Sequence, residues 1–103
     1  MTQFSNITLT KKANVYFDGK VTSRTVEFAD GSIKTLGVMQ SGDYEFGTDK
    51  KEIMEILAGD CEVQFSGANT WQTFNEGDSF EVDANSQFKI KAKTLVDYCC
   101  SYV

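Results

Sequence analysis

The chain carries no histidine, so its available chemistry is narrowed first by subtraction. Without imidazole there is no Ser-His-Asp or Cys-His relay and no histidine-ligated metal. Cys61, Cys99 and Cys100 remain as potential nucleophiles. A reactive thiol needs a neighbouring base, and no histidine supplies one, so packing is the expected role of all three. An odd set of three closes no disulfide framework. Cys99 and Cys100 are adjacent, and in a strand they must point to opposite faces. What is left is acid–base work by carboxylates, stacking on aromatic rings and anion binding by a few cations. The balance of 15 acidic against 10 basic residues, net charge −5, excludes broad electrostatic binding to nucleic acid. It leaves room for a local cationic pocket. Arg24 is the single arginine and therefore the single side chain able to clamp an oxyanion bidentately.

The elements that must position these groups read as strands. Turn signals recur at short intervals: Asp18-Gly19, Asp30-Gly31, Ser41-Gly42-Asp43, Gly59-Asp60, Ser66-Gly67-Ala68-Asn69, Glu76-Gly77-Asp78 and Asp83-Ala84-Asn85-Ser86. Asp18-Gly19 and Asp30-Gly31 suit type I′ hairpins, because that turn needs positive φ. Between the turns the sequence alternates with period two. Cys61, Val63 and Phe65 oppose Glu62 and Gln64, and Phe88, Ile90 and Ala92 oppose Lys89, Lys91 and Lys93. Lys50 to Leu57 is the one segment that also fits a helix, and its shortness before Gly59-Asp60 predicts strand. With 103 residues, 41% of them hydrophobic, the chain is one globular domain with one modest core. An all-β sandwich or barrel is expected. Residues 1–13 read as an arm or extra strand ahead of a domain over residues 14–103. The opening Met1-Thr2-Gln3-Phe4-Ser5-Asn6 lacks the basic stretch and apolar block of a secretory signal. No run reaches the ~18 apolar residues of a membrane span. A cytoplasmic protein without membrane or nucleic-acid partners is expected.

From Gly42 to Phe88 the spacing resembles the two motifs of the cupins, small β-barrels that carry glycine, His-x-His, glutamate and glycine, then a second glycine motif ending in histidine. Counting back from Gly59 places Glu52 at the glutamate and Phe46 and Thr48 at the first two histidines; counting on from Gly77 places Phe88 at the last. One carboxylate without imidazole is a poor transition-metal site, so a metal-independent, cupin-like barrel of the jelly-roll type is the reading.

Shorter strings carry a narrower resemblance. They run Tyr16-Phe17-Asp18-Gly19-Lys20-Val21, Thr35-Leu36-Gly37-Val38-Met39, Gly42-Asp43-Tyr44-Glu45-Phe46 and Glu52-Ile53-Met54-Glu55-Ile56-Leu57-Ala58-Gly59, followed by Trp71, Gly77-Asp78-Ser79-Phe80 and Tyr98-Cys99-Cys100-Ser101-Tyr102. Together, over residues 14–103, they resemble the pyrimidine/purine nucleoside phosphorylase family. The resemblance implies a broad-specificity pentosyltransferase without a cofactor, in which phosphate and a purine or pyrimidine nucleoside give free base and ribose 1-phosphate. Two rivals stand beside it: a metal-free cupin that binds a small sugar or nucleotide without catalysis, and a partner protein with no ligand.

Such a reaction needs phosphate held near C1′, a stabilised leaving base and an oriented sugar. Cation candidates for phosphate are Lys20, Arg24, Lys34 and the Lys50-Lys51 pair, with Arg24 and Lys34 preferred. A broad base preference is best served by stacking, since every base has a π-face. Phe46 and Phe88 stand at inward cupin positions, with Tyr44, Trp71, Phe80, Tyr98 and Tyr102 as further aromatic candidates. Glu52 is the natural inward carboxyl for catalysis, with Thr48 beside it at the sugar. Barrels of this size expose edge strands, which points to a homodimer.

Overall fold

The computed structural model describes residues 3–103. Its strands are β1 (Thr8–Leu9), β2 (Asn14–Tyr16), β3 (Val21–Glu27), β4 (Ile33–Met39), β5 (Gly42–Gly47), β6 (Glu52–Ala58), β7 (Asp60–Phe65), β8 (Gln72–Asn75), β9 (Ser79–Val82), β10 (Gln87–Ala92) and β11 (Val96–Tyr102). The larger sheet runs β1-β3-β4-β11-β6-β9, with β2 also on β3; the smaller runs β5-β10-β7-β8. All pairings are antiparallel. The ambiguous Lys50 to Leu57 segment is strand from Glu52 on, paired on both sides by β9 and β11.

Period-two alternation sends one face of each sheet into a shared core. Val21, Met39, Met54, Ile56 and Val96 come from the larger sheet, and Tyr44, Cys61, Val63, Phe88, Ile90 and Ala92 from the smaller. Met39, Ile56, Ile90 and Val63 are fully buried. All three cysteines are free and buried. Cys100 belongs to the shared core, whereas Cys99 and Val26 are buried on the outer face of the larger sheet. Lys89, Lys91 and Lys93 line the outer face of β10 and its end, where Lys91 Nζ lies 4.2 Å from the Trp71 ring centroid. Trp71 is therefore on the outside of the sandwich, and Phe80 packs in the core against Phe74 at 4.6 Å.

Asp18-Gly19 takes the backbone of a type I′ turn, with φ of 56° and 91° and Lys20 N donating to Phe17 O, but Phe17 also has positive φ, at 52°, and the ladder closes only at Tyr16 and Val21. Asp30-Gly31 does not. There Phe28 pairs with Ser32 around a three-residue loop in which Gly31 alone takes positive φ, at 87°. The Asp30 carboxylate accepts from both the amide and the hydroxyl of Ser32, which holds this wider turn. Of the expected N-terminal arm, residues 1 and 2 lie outside the described residues. Within the rest, Thr8–Leu9 form β1 on the edge of β3 at Glu27-Val26, and β2, just past the arm, follows along the same side at Ser23-Val21.

One irregularity matters for the site. Asp97 pairs with Ala58, but Tyr98 pairs with Ile56, so Leu57 is an extra residue in β6. A bulge of this kind shifts every later pairing by one. It brings Glu52 opposite Tyr102, where an unbroken ladder would have brought Ile53.

Candidate functional site

The sandwich is open at the end where β6 and β10 begin and β5 and β11 finish. A cavity of about 150 Å³ lies there between the sheets. Its inner wall is apolar: Met39, Met54, Phe46 and Phe88. Phe46 and Phe88 are direct partners in the β5–β10 ladder and stack at 5.6 Å with 28° between their planes. The polar lining comes from the larger sheet, the one that also supplies Met39 and Met54: Tyr16, Ser23, Thr35, Glu52, Tyr98, Cys100 and Tyr102. Tyr16, Thr35, Gly47, Glu52 and Tyr102 also border a wider mouth of about 600 Å³, which adds Asn14, Thr25, Ser32, Asp49 and Lys50. The site thus grades from aromatic inside to polar outside, with Glu52 at the join.

The polar wall is internally bonded. Asn14 Nδ2 donates to Ser23 Oγ and Thr25 Oγ1, each at 3.2 Å, and Thr35 Oγ1 lies 3.2 Å from Tyr102 OH. The Cys100 thiol donates to Glu52 Oε1 at 3.3 Å. Burial raises the Glu52 carboxyl above its ordinary range; the Cys100 bond opposes the rise and nearby Asp49 adds to it. Burial likewise pushes up Tyr98, Cys100 and Tyr102, so all three stay neutral across ordinary pH. Cys61 is pushed up to about 11 by burial first, then by Asp60 and Asp78, which suits packing rather than nucleophilic work.

The structure gathers Phe46, Glu52 and Phe88 in one cavity. Tyr98 and Tyr102, among the further aromatic candidates, line it too, whereas Thr48, Tyr44, Arg24 and Lys34 do not. Thr48 is buried outside the cavity: its Oγ1 donates to Asp83 O at 2.6 Å and accepts from Ser86 N at 3.0 Å, stapling the turn before β10. Tyr44 packs behind Phe46, its hydroxyl donating to Gln40 O at 2.7 Å. Arg24 and Lys34 face the outer side of the larger sheet, because strand alternation opposes them to inward Ser23 and Thr35. Arg24 Nε donates to Lys11 O, and Lys34 Nζ lies 5.6 Å from the Phe4 ring centroid. Of the remaining cations, Lys51 is paired with Glu81 at 2.8 Å, and Lys50 is the single cation lining the mouth among the described residues. Ser23, Thr35 and Cys100 were not singled out from the sequence as site residues. Period-two parity would have turned them inward, but parity alone does not say which inward residues meet.

Two facing antiparallel sheets around a cavity at one end make the chain a cupin-like protein. A cupin superfamily protein from Desulfitobacterium hafniense superposes with a TM-score of 0.68 at 16% identity, over 89% of this chain and 82% of that one, a likeness of fold. A protein of unknown function from Acinetobacter sp. ADP1 superposes with a TM-score of 0.95 at 42% identity, over 98% of both chains. Residues 11–102 match the family described as pyrimidine/purine nucleoside phosphorylase. A pyrimidine/purine nucleoside phosphorylase of Syntrophotalea carbinolica is 63% identical over 103 residues, covering 100% of this chain and 99% of that protein. One of Colwellia psychrerythraea is 58% identical over the same span and shares. The chain belongs to the pyrimidine/purine nucleoside phosphorylase family.

Proposed function

We infer that the chain is a pyrimidine/purine nucleoside phosphorylase, a pentosyltransferase that passes the sugar of a nucleoside to phosphate. The observation that carries the site assignment is the Glu52 carboxyl at the join between a stacked aromatic pair and a polar mouth. In the reaction a phosphate oxygen bonds to C1′ as the C1′–N bond breaks. The bonding pair leaves with the base, and a proton must reach the base to neutralise it. The base stacks on Phe46 and Phe88, an arrangement that tolerates purines and pyrimidines alike. The sugar lies at the polar wall. Glu52, whose proton affinity burial raises above the ordinary value, is the carboxyl placed to pass a proton to the leaving base. Phosphate enters at the mouth, the end that carries Lys50 and a set of hydroxyl and amide donors.

The test is direct. Incubation with uridine, adenosine or inosine, with and without phosphate, should give base release only with phosphate. Saturable nucleoside binding without release would replace the enzyme by a binding module.

The reaction runs without a metal, because Phe46, Thr48 and Phe88 occupy the positions where a metal-binding cupin has histidine. Activity is therefore expected to be unchanged after EDTA, measured as phosphate-dependent base release; full loss with rescue by a divalent ion would end this reading. The protein is a homodimer built on an exposed edge, and the β1–β2 edge offers exposed Leu9, Val15 and Tyr16. Light scattering at micromolar concentration should give twice the monomer mass, and a clear monomer would remove the assembly. Three free cysteines suit the reducing cytoplasm, where we place it.

A further inference from the structure

We propose that Cys100 is a positioning residue for Glu52, at the centre of a chain of cross-strand neighbours, its thiol fixing where the carboxyl points and how readily it gives up its proton. The inference rests on the nucleoside phosphorylase reading, in which Glu52 handles a proton.

The chain crosses three neighbouring strands. Cys100 is opposite Thr35 on β4 and Met54 on β6, and Tyr102 is opposite Glu52. Cys100 therefore reaches Glu52 on the diagonal, its thiol donating to Oε1 at 3.3 Å. The Tyr102 hydroxyl, one inward position further along β11, meets Thr35 Oγ1 at 3.2 Å. Packing alone would accept any small apolar residue between Met54 and Tyr98. Cysteine is the small, largely apolar side chain that also has a proton to donate.

The chemistry has a definite sign. A donor at Oε1 favours the carboxylate, while burial and Asp49 favour the protonated acid. The thiol keeps the acid from becoming too reluctant to donate. The titratable and charged groups around Glu52 are Tyr98, Cys100 and Tyr102 from β11, Tyr16 from β2, and Asp49 and Lys50 from the segment before β6. Its partner on β9 is Val82, which is uncharged.

The test compares Cys100→Ala with Cys100→Ser, since the first removes the donor and the second supplies a stronger one. The carboxyl C=O stretch of Glu52 is followed by infrared titration, assigned as the band lost in Glu52→Gln. The titration midpoint should rise by about 0.5 unit or more in Cys100→Ala and fall by a similar amount in Cys100→Ser. The alkaline limb of the pH profile for base release should move with the midpoint. Midpoints unchanged within about 0.2 unit in folded Cys100→Ser would overturn the proposal, whatever Cys100→Ala does to the fold. The infrared reading needs no turnover, so failure of base release in the parent protein would refute the phosphorylase reading while still testing the coupling.

Discussion

Glu52→Gln is expected to cut phosphate-dependent base release by about 10²-fold or more, the usual scale for a positioned proton donor. The amide keeps the size of the carboxyl and still accepts from the Cys100 thiol, so the cavity should keep its shape. The effect on stability should run the other way. A carboxyl whose folded proton affinity is raised destabilises the native state progressively as pH climbs from its unfolded value through its folded one, because the unfolded chain ionises more easily. The amide carries no such cost. The variant should therefore melt at or above the parent temperature at pH 7 to 8, with the gap closing in acid. A purely structural Glu52 predicts the reverse pattern: lower melting and unchanged turnover per folded molecule. Melting and base release measured on one preparation decide the matter, and unchanged turnover in a folded variant strips Glu52 of its role.

The second large effect is on stability. Gly59 joins β6 to β7 with φ of 96°, and a Cβ there would run into Leu95 O, with Thr94 Oγ1 at 2.9 Å and Val96 Cα at 3.1 Å. Two of the three obstacles are backbone, at a corner already tied by Lys93 N donating to Asp60 O and Asp60 N donating to Thr94 Oγ1. Neither side can give way cheaply. Gly59→Ala should combine about 1–2 kcal/mol of left-handed strain with about 1–3 kcal/mol of overpacking. For a chain of this length that lowers the melting temperature by roughly 10 °C or more. Gly67→Ala is the control, since Gly67 also has positive φ, at 80°, but has nothing within 4 Å of an added Cβ. It should show the strain alone. Equal losses in the two variants would mean that the close approach to β11 has no energetic weight. Activity per folded molecule should be unchanged in both, because neither glycine borders the cavity.

Much of the architecture was legible because strands are local. The alternation of Phe88, Ile90 and Ala92 with three lysines reads directly as one buried and one wet face, and the structure has it so. Asp18-Gly19 gives its turn because the two residues that must take positive φ are the ones present. Asp30-Gly31 carries the same letters and makes a wider loop, in which the Asp30 carboxylate accepts from both the amide and the hydroxyl of Ser32. The cupin spacing pointed to Glu52, Phe46 and Phe88 together, and they do share a cavity. The same spacing pointed to Thr48, whose hydroxyl is instead spent on the backbone of a turn 35 residues further on.

By itself the sequence determined the classes of chemistry: no imidazole, one arginine, cysteines too few and too unassisted for nucleophilic work. It also determined parity, since neighbouring residues of a strand must face opposite ways, and that is a property of the pleat rather than of the fold. Only the tertiary structure decided which inward residues meet. Arg24 and Lys34 point away from the cavity once Ser23 and Thr35 are known to face in, and that choice depends on where the second sheet lies. The meeting of Glu52 with Cys100 and Tyr102 depends on the extra residue at Leu57, which slips β6 by one against β11. No local pattern announces that slip. It is settled by two strands some 40 residues apart in the chain burying their apolar faces at once, and a shift of one position there turns Ile53 rather than a carboxyl toward Tyr102.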